Sequence, residues 1–262
     1  MLLLALALSC APVPDALAAD TPAGFTRVEV GPFVILGDEP PATVRDRAQS
    51  LVVWSRDRLR AEYGWADPPG PVNVWLFRNA SSYNRNVAAM LTDYPDTPYG
   101  FANDEGLFMN ISTGGGTLVH ELVHPYIFHN IPGAGPWFNE GLASLYEACA
   151  DEDGRIVGLV NWRLPELQGS LKAGTTPSFR DLAAMDPPTF YGPGSGVSYG
   201  EARYLFYWLQ EKGLLQQLVA AYTARGEDDP EGYAALLKTL GVEDEAEVRA
   251  EWETFVLGLR PR

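Results

Sequence analysis

The stretch spanning residues 117–147, TLVHELVHPYIFHNIPGAGPWFNEGLASLYE, constrains this chain more than any other, because it can bring imidazoles and carboxylates to a single point. His120, Glu121 and His124 form an HExxH pattern. Residues four apart on an α-helix lie roughly 40° apart around its axis, so both imidazoles leave the same face one turn from each other. That spacing suits one metal ion. Two imidazoles and one further carboxylate, for which Glu140 is the candidate, make a three-ligand zinc site. The fourth position stays open to water, as in catalytic rather than structural zinc sites. Glu121 sits beside the first ligand, where it cannot chelate alongside it but can reach that water's proton as a general base. A histidine pair satisfied by hydrogen bonds alone would need neither this glutamate nor a second acidic motif downstream.

HELVH followed by WFNEGLASLYE resembles the gluzincin metallopeptidases, most closely the M1 aminopeptidase group and the smaller peptidase-MA-like domains. The resemblance implies that Glu140 is the third zinc ligand. The segment VSYGEARYLFYWL, residues 197–209, is similar to the family segment in which a tyrosine opening a helix stabilises the tetrahedral intermediate, which corresponds to Tyr199 here. Tyr191 competes for that role. The implied fold is α+β, a thermolysin-like gluzincin fold with a strand-rich N-terminal lobe, a helical C-terminal lobe and one zinc per chain in the cleft between them. The implied partner is a peptide or protein substrate.

In the family, the strand before the metal helix is a sheet edge to which substrate adds as an extra strand, and residues 107–111 correspond to it; an ordinary core strand is the alternative. The gap between His124 and Glu140 is 15 residues, shorter than in the M1 aminopeptidases. Pro125 predicts a helix that kinks or ends just past the second ligand. A metzincin pattern is excluded because position 127 is Ile127 and Asn130 stands where a third histidine would fall, which leaves His129 as a surface or loop residue.

Residues 1–18 read as an export signal, with residues 2–8 as a short apolar core and Ala16-Leu17-Ala18 as the cleavage site. That core falls far short of the roughly 20 residues of a membrane span. Lipid attachment at Cys10 is the alternative processing. Either way the chain is expected to be exported: periplasmic, attached to the cell envelope or secreted. Residues 19–262 read as a single metallopeptidase domain, with 19–130 the strand-rich lobe carrying the HExxH helix and 131–262 the helical lobe.

With Cys10 in the signal, Cys149 has no partner for a disulfide, and it reads as a small buried residue ending the helix that carries Glu140. A net charge of −15 argues against nucleic acid and anionic membrane surfaces as partners.

Apolar patterning places extended runs at 25–36, broken by Gly31-Pro32, and a helix at 43–63 with Val44, Ala48, Leu51, Val52 and Leu59 on one face. A strand follows at 72–77, a short helix at 81–91, and extended segments at 99–111 around Gly106. The loop Gly114-Gly115-Gly116 leads to Thr117 as a cap of the metal-site helix. Further helices are expected at 178–185, 199–212, 214–225, 231–240 and 243–257. The glycine-rich segment 191–200 is either a mobile lip over the cleft or a plain connection. Glu147, about two turns beyond Glu140, either orients a ligand imidazole or is a solvated carboxylate.

These expectations favour an exported zinc peptidase using Glu121 as general base. A non-catalytic zinc-binding envelope module and a zinc hydrolase acting on a non-peptide amide or ester are the competing readings.

Overall fold

The computed structural model describes residues 20–260, so the expected export signal at 1–18 and Cys10 lie outside the described residues. The chain opens as an antiparallel pair, β1 (Thr26–Val30) and β2 (Phe33–Gly37), with Gly31-Pro32 at the turn. The apolar stripe that follows winds α1 (Pro41–Arg47), a π-helical turn (Ala48–Val53) and α2 (Trp54–Tyr63) into one rod, burying Val44, Ala48, Val52 and Leu59. After β3 (Val72–Phe77) comes α3 (Ala80–Met90), capped by the Asn79 side chain, which accepts from the Ser82 N–H. A hairpin of β4 (Gly100–Asn103) and β5 (Gly106–Asn110) then leads through a 3-10 turn (Ile111–Thr113) into α4 (Gly115–Asn130).

The five strands lie in the order β1-β2-β3-β5-β4, the central three parallel and both edges antiparallel to them. Strand side chains alternate between faces. Val34, Leu36, Trp75, Phe77 and Phe108 pack against Tyr83 and Val87 of α3. Phe33, Ile35, Val74, Leu76, Leu107 and Met109 pack toward the α1–α2 rod and α4. Residues 107–111 are therefore not the sheet edge. The turn at Asp104-Glu105, held by the Glu105 N–H donating to Asn103 Oδ1 at 2.9 Å, folds β4 back over the free side of β5, and β4 becomes the edge.

Two expectations about α4 also change. Thr117 is not its cap: the helix starts at Gly115, because at Gly116 the Glu147 carbonyl oxygen lies 2.0 Å from where a Cβ would sit, so only glycine lets this first turn slide beneath that chain. Pro125 does not end it either. The helix continues to Asn130, since Tyr126 and Ile127 are buried there and the Asn130 carboxamide and Ile131 N–H bond the Tyr126 and Ile127 carbonyls.

The remaining elements are α5 (Pro136–Leu145), the hairpin β6 (Cys149–Glu152) and β7 (Arg155–Gly158), α6 (Leu164–Ala173), α7 (Phe179–Ala183) and α8 (Pro187–Phe190). They are followed by α9 (Ser195–Glu211), α10 (Leu215–Thr223), α11 (Tyr233–Leu240) and α12 (Ala246–Gly258). The architecture is mixed α and β, with the sheet in the first half and a mainly helical second half. The β6–β7 hairpin and α6 are not anticipated by the sequence patterns.

Cys149 opens β6 rather than ending a helix and is half-buried. The helix α9 starts one turn ahead of Tyr199, so only residues 191–194 remain outside helix in the glycine-rich segment. Arg249 pairs with buried Glu201 at 2.6 Å and Trp252 Nε1 donates to the Tyr204 carbonyl at 3.2 Å, fixing α9 to α12. Among the described residues, no helix is long and apolar enough to cross a membrane.

Candidate metal centre

Three expected ligands converge. His120 and His124 project from one face of α4, Glu140 from α5, and all three are buried. One candidate ligand atom from each lies within 4.8 Å of the others. His120 Nε2 stands 3.4 Å and His124 Nε2 4.0 Å from Glu140 Oε2. Two ligands of a tetrahedral zinc at its usual bond lengths are about 3.4 Å apart, so the cradle has the right scale.

Hydrogen bonds fix how the ligands face. His124 Nδ1 lies 3.0 Å from Asn139 Oδ1, a carbonyl oxygen that can only accept. In the neutral imidazole the proton is then on Nδ1, which turns the Nε2 lone pair toward Glu140 and Glu121. Glu140 is held at its other oxygen, where Tyr191 Oη donates to Oε1 at 2.9 Å. Glu140 Oε2 is buried with no hydrogen-bond partner among the described residues. A buried, unbonded carboxylate oxygen facing two imidazole nitrogens fits a cation between them.

Burial by itself would raise the Glu140 pKa, but the neighbouring imidazoles of His124 and His120 and the Tyr191 hydroxyl bring it down to about 2. For His120, burial opposes the charged form, yet the Glu140 carboxylate close by and the charges of Glu121 and Glu147 outweigh it and raise the pKa. Glu121 is raised above the usual carboxylate range, chiefly by burial, with the charges of Glu140 and Glu147 adding to it against the two histidines. Its Oε2 lies 3.9 Å from His124 Nε2, beside the cradle but not part of it.

Around this core, the Phe128 ring stacks along His124 at 6.1 Å. Tyr199 is buried, its ring 6.1 Å from that of Tyr191 and 4.8 Å beneath the Arg163 guanidinium. Burial raises its pKa well above the ordinary tyrosine value, and the charge of Glu140 adds to that.

Glu147 does not orient an imidazole through a hydrogen bond. The helix α5 stops at Leu145, two residues short of it, and its carboxylate pairs with Arg163 at 2.8 and 3.0 Å and accepts from Asn161 Nδ2 at 3.0 Å. His129 is exposed on the last turn of α4, as expected. Asn139 is the residue the motif reading missed, although it stands in the same WFNEG run as Glu140.

No family model matches this chain, and no curated protein matches it.

Proposed function

We propose that this chain is an exported zinc metallopeptidase of the gluzincin type, with a thermolysin-like arrangement in which the metal lies between the strand-bearing and helical halves. One observation carries the reading: a three-atom cradle for a metal stands beside a second buried carboxylate, Glu121, that is not part of it. A structural site normally closes its fourth position with protein and has no use for a base there. This weighs against the non-catalytic zinc-binding module.

Zinc bound by His120, His124 and Glu140 would supply a water of lowered pKa and polarise the substrate carbonyl. Glu121, whose hold on a proton burial strengthens, takes the proton of the attacking water and returns it to the leaving amine. The Tyr199 hydroxyl has no hydrogen bond to any described residue, which leaves it free to donate to the carbonyl oxygen as negative charge develops there. The strand β4, as the sheet edge, can accept an extended peptide through backbone hydrogen bonds at any side chain.

A non-peptide amide or ester would use the same groups, and a panel of peptides and esters separates the two by which is cleaved. Metal analysis after exhaustive dialysis tests the site itself. The parent should hold one zinc per chain and lose it on His120→Ala, His124→Ala or Glu140→Gln. Zinc retained as tightly by Glu140→Gln as by the parent would remove Glu140 from the ligand set.

A further inference from the structure

Two tyrosines stand at the metal centre, and hydrogen bonds set them apart. Tyr191 donates to Glu140 Oε1 at 2.9 Å, whereas the Tyr199 hydroxyl bonds to no described residue. The Glu140 carboxylate is thereby divided. One oxygen is occupied by the phenol; the other, Oε2, is buried, without a hydrogen bond to any described residue, and faces both imidazoles at 3.4 and 4.0 Å. Carboxylates bind metal ions through one oxygen or through both, and a strong donor already seated on one leaves a single oxygen to offer.

Tyr191 is itself held in place. Its ring packs edge-on against Phe190 at 5.2 Å and tilted against Tyr199 at 6.1 Å, and its N–H donates to the Pro187 carbonyl at 3.0 Å. The phenol therefore cannot follow Glu140 if the carboxylate rotates.

We propose that Tyr191 is a positioning residue that confines Glu140 to ligation through Oε2 and so keeps the fourth coordination position clear of protein. The inference rests on the reading of His120, His124 and Glu140 as a metal site and adds to it what holds that site open. It also divides the labour of the two tyrosines. Tyr191 acts on the ligand, while Tyr199 is left for substrate.

Cobalt(II) in place of zinc reads this directly, because four-coordinate cobalt absorbs visible light strongly and higher-coordinate cobalt weakly. Cobalt is titrated against a competing chelator into the full chain, Tyr191→Phe and Tyr199→Phe, and the spectrum and affinity are recorded for each. The parent and Tyr199→Phe should share an intense four-coordinate spectrum. Tyr191→Phe should show a weak one, with affinity lower by about 10- to 100-fold, the scale for losing a partner of a metal ligand.

A Tyr191→Phe spectrum and affinity equal to the parent's would overturn the inference while leaving the metal site intact. A weak spectrum in the parent would overturn it without any variant, so the test survives a variant that fails to fold. A parent that takes up no cobalt at all would remove the metal-site reading, and this inference with it.

Discussion

The Asn139 carboxamide decides which nitrogen of His124 is available, and that single contact makes the difference between an imidazole able to bind a metal and one that only packs. Tyr199 is the residue whose role is most exposed to test. Under the proposed mechanism its hydroxyl matters only once charge develops on the substrate oxygen. Tyr199→Phe should lower turnover by about two to three orders of magnitude, the scale for one such donor, while zinc content and KM stay nearly unchanged. Unaltered turnover would take the role from Tyr199.

At this scale the sequence was informative where spacing encodes geometry: His120 and His124 must share a helix face, and Glu140 sits in a motif that fixes its use. Asn139 and Tyr191 were harder to see. Adjacent helical residues point about 100° apart, so nothing in the run Asn139-Glu140 says that both serve the candidate metal site, one through His124 and one directly. Tyr191 reaches Glu140 across 51 residues, a separation that no local pattern records.

Gly141, next to the candidate ligand Glu140, sets how closely α5 and α9 approach each other. A Cβ on Gly141 would lie 2.7 Å from the Phe206 ring and 3.2 Å from the Ala202 carbonyl, both on α9 and both in the packed core. Gly141→Ala should destabilise the fold by about 1–3 kcal/mol through overpacking, less the roughly 1 kcal/mol that alanine gains over glycine in a helix. Thermal unfolding reads the net loss as a fall of about 2–4 °C per kcal/mol. A midpoint above the parent's would mean that α9 does not press on α5 as described.

Elements were legible where periodicity was clean, as in β1, β2, β3 and the α1–α2 rod. They were misread where tertiary contacts overrode a local rule. Pro125 lies inside α4 because the turn beyond it buries Tyr126 and Ile127, and the expected edge at 107–111 is covered because β4 folds back on it. The hairpin β6–β7 is short, polar at its tip and half-exposed, so its residues carry no strong alternation.

Taken as a whole, the molecule places its metal cradle at the junction of its two halves, with two ligands on the last helix of the first and one on the first helix of the second. The β6–β7 hairpin braces that junction. It reaches back to α2, where Asp151 accepts from Trp54 and Arg58 and Arg155 pairs with Glu62. Arg203 on α9 donates to the Leu145 carbonyl at 3.3 Å and to that of Leu159, tying the end of α5 to the chain after the hairpin. One hydrophobic core continues beneath both halves, from Phe33 of β2 to Val256 of α12. Such an arrangement suits the proposed reaction, in which the site must stay fixed while Glu121 moves a proton.

Glu121→Gln tests that claim most directly. The substitution keeps size and shape but cannot accept a proton at neutral pH, so zinc and fold should remain. Peptide cleavage by parent and variant is measured at matched zinc occupancy. The parent should cleave and Glu121→Gln should not; equal cleavage by both, or none by a zinc-loaded parent across a broad peptide library, would contradict the assignment of Glu121 as the base of a metallopeptidase.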